Sequence, residues 1–126
     1  MNKENFFKKV HLIISLIIVI PVSLVLGFKP SFQFDVYLNT TDEFNVFKAM
    51  MGLYLGFSFL WILGVLKKKF LFTALISNVI FMLGLGFGRL ISFVIDGMPS
   101  FLFVFGTFGE LFLGFYGLWV IKRIHN

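Results

Sequence analysis

The sequence predicts an all-α fold: a four-helix transmembrane bundle whose neighbouring helices run antiparallel, up and down across the bilayer. Three observations support this: the composition, the length of the apolar segments, and the placement of the basic residues. Hydrophobic residues make up 59% of the 126 residues and charged residues 13%, whereas roughly 45–50% apolar residues are usual in soluble domains. A soluble domain of this size would not have enough interior to bury so much apolar surface.

Four apolar segments each approach the ~20 residues that a helix needs to cross the hydrocarbon core. We expect a single domain, residues 1–126, with spans at about 10–28, 45–66, 70–95 and 100–121. Only Lys67–Lys69 separates the second and third segments, which predicts a tight turn. Gly97 and Pro99 favour a second turn, because Gly permits unusual backbone angles and Pro can begin a helix. The remaining connection, 29–44, is predicted to be an ordered loop or a short amphipathic segment at the outer surface.

The basic residues predict the orientation. Eight of the eleven lysines and arginines lie at the two termini or in the turn after the second segment: Lys3, Lys8, Lys9, Lys67, Lys68, Lys69, Lys122 and Arg123. With four spans these three places share one side, and the excess of basic residues in short loops marks the cytoplasmic side. We therefore expect both termini in the cytoplasm and a multi-pass protein of the cytoplasmic membrane. The net charge of +5 is then a topology signal, so no nucleic acid is expected as a partner.

Motifs for catalysis, metals and cofactors are missing from the sequence. The absence of Cys excludes disulfides, thiolate metal sites and cysteine catalysis. His11 and His125 have no neighbours at metal-ligand spacing, and neither an HExxH motif nor a phosphate-binding loop occurs. We predict no catalytic residue, no metal and no cofactor. The bilayer is the expected environment, with an amphiphilic small molecule or another membrane protein as a further partner.

Several glycines are predicted to be helix-packing positions. Small residues four apart let helices approach closely in membranes, where apolar burial provides little drive for association. Such spacing predicts contact between helices of the bundle or between two copies of the chain, so a homo-oligomer is one expectation. The candidate positions are Gly52, Gly56, Gly84, Gly88, Gly106 and Gly114.

The charged residues inside the apolar segments are the candidate site. A charge at the bilayer centre is unfavourable by about 2.5–3.5 kcal/mol on insertion scales, so it normally has a partner and faces protein or water. Arg89 lies nine residues before the turn at Gly97 and Met98, and Glu110 lies about twelve residues after it. The offset of three residues is roughly 4.5 Å of helix rise, so we predict an Arg89–Glu110 ion pair. Other polar residues of the predicted cluster are Lys48 on the second segment and Asn78, Ser92 and Asp96 on the third.

Two interpretations of this cluster remain open from the residues alone. In the first, the ion pairs fix the register of the helices and the interior is dry. A neutralised pair then provides structural specificity. In the second, they line a small pocket that opens outward and binds a polar or amphiphilic molecule, because charges inside the membrane are functional candidates by default.

Three stretches resemble a bacterial family of small four-helix membrane proteins that is classed as a domain of unknown function. They are EFNVFKAMMGLYLGFSFLW (43–61), GRLISFVIDGMPS (88–100) and ELFLGFYGLW (110–119). The most specific positions are Gly88, Arg89, Leu90, Ser92, Asp96, Gly97, Pro99 and Ser100. The resemblance covers roughly the second to fourth spans. It implies a helical bundle in the bacterial inner membrane and no established activity.

Three functions remain as hypotheses. The leading one is a membrane-embedded binding or accessory protein that holds an amphiphilic molecule or a membrane partner near Arg89 and Glu110. The second is a small oligomeric transporter or proton-coupled carrier with Glu110 as the titrating carboxylate, although no inverted repeat is evident. The third is a membrane enzyme on a lipid-soluble substrate, with Glu110 or Asp96 as acid or base. No nucleophile or cofactor motif supports an enzyme, so we expect none.

Overall fold

Four long helices make up most of the described chain. The computed structural model describes the backbone of residues 3–125 and the side chains of residue 6 and residues 8–124. The helices are α1 (Lys3–Phe28), α2 (Thr41–Leu66), α3 (Leu71–Asp96) and α4 (Phe101–His125). No strand occurs within residues 3–125, so the prediction of an all-α chain with four helices is confirmed. Each helix is long and apolar enough to cross a membrane.

The connection between α1 and α2 is an ordered loop with a short 3-10 turn at Pro30–Phe32. It ends in a capping box: the Thr40 hydroxyl accepts a hydrogen bond from the Glu43 backbone N–H at 3.1 Å, and the Glu43 carboxylate accepts one from the Thr40 N–H at 2.9 Å. Helix α2 therefore begins at Thr41, four residues before the predicted start at 45. The sequence interpretation missed this T-x-x-E signature because it followed the apolar run alone.

The other two connections are tight turns. Helix α3 ends at Asp96 and is followed by Gly97, whose φ of 97° lies in the region that only Gly adopts without strain. Between α2 and α3, Lys67 has an extended backbone and is followed by a 3-10 turn at Lys68–Phe70. We call the end of the bundle with residues 29–40 and 97–100 the loop end, and the end with Lys67–Lys69 the lysine end.

The helices form two close pairs, α1 with α2 and α3 with α4. Helix α2 packs less extensively on α3, and α1 has few contacts with α4 and the fewest with α3. The contacts show an antiparallel order. Gly27 of α1 lies against Met51 of α2, and Leu12 of α1 lies near Gly64 of α2. The fully buried apolar residues, among them Leu12, Trp61 and Leu75, concentrate toward the lysine end. The most tightly packed part of the core therefore lies nearer the lysine end than the predicted ion pair does.

The glycines predicted to pack helices behave differently from one another. A Cβ at Gly114 would collide with Leu83, so this glycine lies at a close α3–α4 contact. A Cβ at five of the predicted positions would meet no atom within 4 Å: Gly52, Gly56, Gly84, Gly88 and Gly106. Within one chain these five are not helix contacts, since spacing alone does not say which helix face points inward. Contact of the outward-facing glycines with a second copy stays a prediction.

The close contacts instead involve other glycines, and Gly64 offers a direct test. A Cβ at Gly64 would collide with the Cβ of Ala74, whereas the same atom at Gly56 would find open space on the same helix. We expect Gly64→Ala to destabilise the fold by about 1–3 kcal/mol through overpacking. Gly56→Ala should be neutral or slightly stabilising, because Ala is the better helix former. Denaturation in detergent measures both; equal effects from the two changes would contradict the packing described here.

Candidate functional site

An ion pair joins α3 to α4 in the loop-end half of the bundle. Nε of Arg89 donates a hydrogen bond to Oε1 of Glu110 at 2.9 Å. Both side chains are largely buried, with exposed fractions of 26% for Arg89 and 17% for Glu110. The antiparallel packing of α3 on α4 places these residues at matching heights, with Gly86 against Leu111 in the next turn toward the lysine end. The structure thus brings together the two residues that were predicted to pair.

Aromatic side chains surround the Arg89 guanidinium. Its central carbon lies 5.3 Å from the centre of the Phe103 ring, a cation–π distance. Phe103 in turn stacks on Phe34 of the α1–α2 loop, with ring centres 4.6 Å apart. The buried Tyr54 of α2 lies close to both Arg89 and Glu110. The ion pair therefore has neighbours on α2 and α4, and the loop reaches it indirectly, through the stack of Phe34 on Phe103.

A cavity of about 320 Å³ lies beside the ion pair. Four of its eighteen lining residues carry polar side chains, namely Gln33, Tyr54, Arg89 and Glu110. The other fourteen are apolar residues or glycines. The α1 wall is entirely apolar, whereas Arg89 and Glu110 occupy the facing α3–α4 wall. The space thus has one polar side and several apolar sides, as is typical of small-molecule sites that fix orientation with few polar groups.

The cavity is most exposed on the side where α1 and α4 face each other. Its lining includes Ile18 of α1 and Phe105 of α4, whose exposed fractions are 48% and 66%. The α2–α3 side is closed by buried residues such as Tyr54 and Met82. At the loop end, Phe34 lies across the space through its stack on Phe103. The opening therefore lies between α1 and α4, on the flank of the bundle.

Two of the predicted cluster residues lie apart from the ion pair. The Lys48 ammonium donates to the Gly27 carbonyl at 3.1 Å and lies 5.6 Å from the centre of the Phe28 ring. It thereby satisfies a free carbonyl at the carboxyl end of α1, a favourable place for a cation. The exposed Asp96 accepts a hydrogen bond from the Ser92 hydroxyl at 2.8 Å, one turn earlier in α3. Neither Lys48 nor Asp96 lines the cavity.

Asn78 also lies away from the ion pair. It is eleven residues before Arg89, or roughly 16 Å along a helix. It is fully buried and does not line the cavity. A helical face carries residues at very different depths, so the shared face of Asn78 and Arg89 did not imply contact.

The sequence interpretation missed four residues that help to form the site: Gln33, Phe34, Tyr54 and Phe103. The aromatic residues had no signal of their own, because the sequence contains twenty Phe and three Tyr residues. Gln33 and Phe34 reach the site through the fold of the loop, which periodicity does not reveal. Within the described residues no group of three or more His, Asp or Glu side chains could hold a metal ion.

Comparison with known proteins identifies a family for this chain. The sequence model of a domain of unknown function (DUF4345) matches residues 7–121, so the match also includes α1, which the resemblance had left out. No curated protein matches the chain. No solved structure matches it either. Since the match covers nearly all of the chain, the protein belongs to the DUF4345 family, whose function is unknown.

Proposed function

We propose that this protein is a membrane-embedded binding protein that holds one amphiphilic molecule in the cavity beside Arg89 and Glu110. One observation carries the proposal: an apolar cavity of about 320 Å³ has a largely buried ion pair in one wall. An ion pair that served only to fix helix register would be expected in a dry, filled interior. Here the pair instead borders space that a ligand of small-molecule size can occupy.

The polar wall indicates the chemistry of the ligand. Arg89 uses Nε to bind Glu110, and a guanidinium has further N–H donors for another acceptor. The charges of Arg89 and Glu110 cancel, so the wall favours an uncharged group over an ion. Tyr54 and Gln33 provide additional hydroxyl and amide groups. The ligand class that fits is an apolar molecule with a neutral, hydrogen-bond-accepting group such as a carbonyl, ester or quinone oxygen.

The open flank indicates the route to the cavity. With the helices across a bilayer, the gap between α1 and α4 faces lipid, and the loop end is covered by Phe34 and Gln33. Pro21 lies in α1 within the segment that borders this flank, and its missing N–H weakens the helix there. We therefore expect the ligand to enter and leave the cavity directly from the membrane, through the gap between α1 and α4.

A comparison of two charge-neutralising variants tests the proposal. Wild-type protein, Arg89→Gln and Lys48→Gln are purified in mild detergent, and their organic extracts are analysed by mass spectrometry. We expect an amphiphile enriched over bulk lipid with wild type and with Lys48→Gln, because Lys48 does not line the cavity. Arg89→Gln should lose it at least tenfold. Equal extracts from all three proteins would show that the cavity binds nothing selectively.

We further propose that the protein lies in the bacterial inner membrane with its lysine end in the cytoplasm, supported by the excess of basic residues at that end. The absence of Cys allows a simple test with single Cys residues at Asp42 and Lys68. Both side chains are exposed, one at each end of the bundle. In intact cells an impermeant thiol reagent should label position 42 and spare position 68. Labelling of position 68 alone would show that the protein has the opposite orientation.

A further inference from the structure

A second polar site lies at the centre of the bundle, nearer the lysine end. His11 of α1 and Asn78 of α3 are both fully buried. Three of their polar atoms, Nδ1 of His11 and both Nδ2 and Oδ1 of Asn78, have no hydrogen-bond partner among the described residues. Buried polar side chains nearly always have partners, because an unpaired group gives up its bonds to water and gains nothing in return. These atoms therefore point to a molecule that completes them.

The hydrogen bond on the other side of the ring fixes what His11 needs. Its Nε2 lies 2.7 Å from the backbone carbonyl of Leu113 on α4. A carbonyl oxygen only accepts, so Nε2 carries the proton. In the neutral ring Nδ1 is then a bare acceptor and requires a donor. Tyr116 packs edge-on against the ring with centres 5.1 Å apart, which holds the imidazole in this orientation.

The helix contacts bring Asn78 and His11 to the same region. A Cβ at Gly117 of α4 would touch both His11 and Val79, the residue after Asn78. On the other side, a Cβ at Gly64 of α2 would meet Leu12, the residue after His11, and Ala74, one turn before Asn78. Ala74 and Val79 lie on either side of Asn78 in α3. Ala74 therefore lies near Leu12 of α1, and Val79 lies near His11. Both side chains are fully buried in this region of the bundle.

We propose that His11 and Asn78 form a binding site for water inside the membrane-embedded bundle. A water molecule can donate to Nδ1 of His11 and to Oδ1 of Asn78, and it can accept from Nδ2 of Asn78, which matches the unpaired atoms. The nearby Ser15 hydroxyl is fully buried and donates to the His11 carbonyl, so its oxygen can accept a further bond. None of these side chains carries a permanent charge, so the site selects a small neutral molecule.

This hydrated site is separate from the amphiphile cavity. Leu113, whose carbonyl binds His11, has its side chain in the cavity lining, as does Met82, one turn beyond Asn78. These two side chains lie between the two polar regions. The water site therefore does not depend on the proposed ligand, and the test below is independent of ligand binding.

Water-edited solid-state NMR on the protein in lipid bilayers tests the site. The chain has two His residues, so His125→Asn leaves His11 as the single ring reporter. We expect early polarisation transfer from water protons to Nδ1 of His11. The backbone nitrogen of Leu75, fully buried one turn from Asn78, is the internal control and should receive it much later. Equal and slow transfer to both nitrogens would overturn the proposal. A direct hydrogen bond between His11 and Asn78, with no water between them, would give this result.

A variant pair gives a second readout with opposite signs. If water bridges the site, Asn78→Leu removes two of its three partner atoms, so the early transfer to His11 should be lost and the bundle should unfold at lower denaturant concentration. If the site is dry, the same change removes an unpaired polar group, so it should stabilise the bundle and leave the His11 signal unchanged. Thr107→Val is the matched control, since Thr107 is equally buried but bonds to the Phe103 carbonyl at 2.8 Å. It should leave the His11 signal intact.

Discussion

Replacing Glu110 with Leu alone is expected to destabilise the bundle by about 3 kcal/mol. Removing one partner of a buried ion pair typically has an effect of roughly 3–5 kcal/mol, because the remaining charge is buried without compensation. The lower end applies here, since 26% of the Arg89 side chain is exposed and its charge is not fully buried. Reversible unfolding in mixed micelles measures the change in the free energy of unfolding.

The double variant Arg89→Leu/Glu110→Leu should recover most of that loss. An apolar pair of similar volume can replace a buried ion pair at little net change in stability. Asp96→Leu is the matched control: its carboxylate is exposed and accepts a hydrogen bond from Ser92 of the same helix, so an effect within about 0.5 kcal/mol is expected. If the single and double variants were equally unstable, the stability of the bundle would not depend on the pairing.

Gly106→Leu is expected to abolish ligand binding while leaving the bundle folded. Gly106 lines the cavity, and a Cβ there would meet no atom within 4 Å, so a side chain can extend into the free space. It also lies one turn from Glu110 on the same face of α4. A leucine side chain would occupy the volume beside the ion pair. The thermal stabilisation that the copurified amphiphile confers on wild type should disappear in this variant.

Gly52→Leu is the matched control for that experiment. Gly52 is exposed on α2, a Cβ there also meets no atom within 4 Å, and it does not line the cavity. Both variants gain the same helix propensity, roughly 0.8–1 kcal/mol at most. The amphiphile should stabilise Gly52→Leu as it stabilises wild type. An equal loss of stabilisation in both variants would show that the effect does not arise in the cavity.

The sequence was sufficient for the helices because their signal is large and local. Four apolar runs of spanning length cannot all be buried in a soluble domain of this size, so they predict four spanning helices. The observed α1–α4 include each run almost completely. The positions of Arg89 and Glu110 followed from counting residues on both sides of the turn at Gly97. That count works because two adjacent antiparallel helices share one geometry, with a rise of 1.5 Å per residue.

The cavity and its walls could not be predicted in the same way. Lipid-facing and interior-facing positions are both apolar in such a protein, so hydropathy does not tell which face of α2 points inward. For this reason Gly52 and Gly56 were expected at helix contacts, whereas the inward face carries Tyr54, Ser58 and Trp61. A cavity arises where facing side chains fail to fill space, which depends on four helices at once.

Lys48 shows the limit of reasoning from charge alone. Its depth in the second segment suggested membership of the charged cluster, but its partner is the backbone carbonyl of Gly27. The carboxyl end of every helix has free backbone carbonyls whatever its sequence. No residue pattern therefore predicts that a particular lysine will bind one of them. The hydrogen bond of His11 was not predicted for a related reason: its partner is the Leu113 carbonyl, 102 residues away in sequence.

Native mass spectrometry of the intact protein tests the central claim most directly. The protein is released from detergent micelles, and the mass of each species shows whether a small molecule remains bound. Wild type and Gly52→Leu should each carry one adduct of the same mass, and Gly106→Leu should carry none. An adduct-free wild type in every mild detergent, or an identical adduct on Gly106→Leu, would contradict a ligand site beside Arg89 and Glu110.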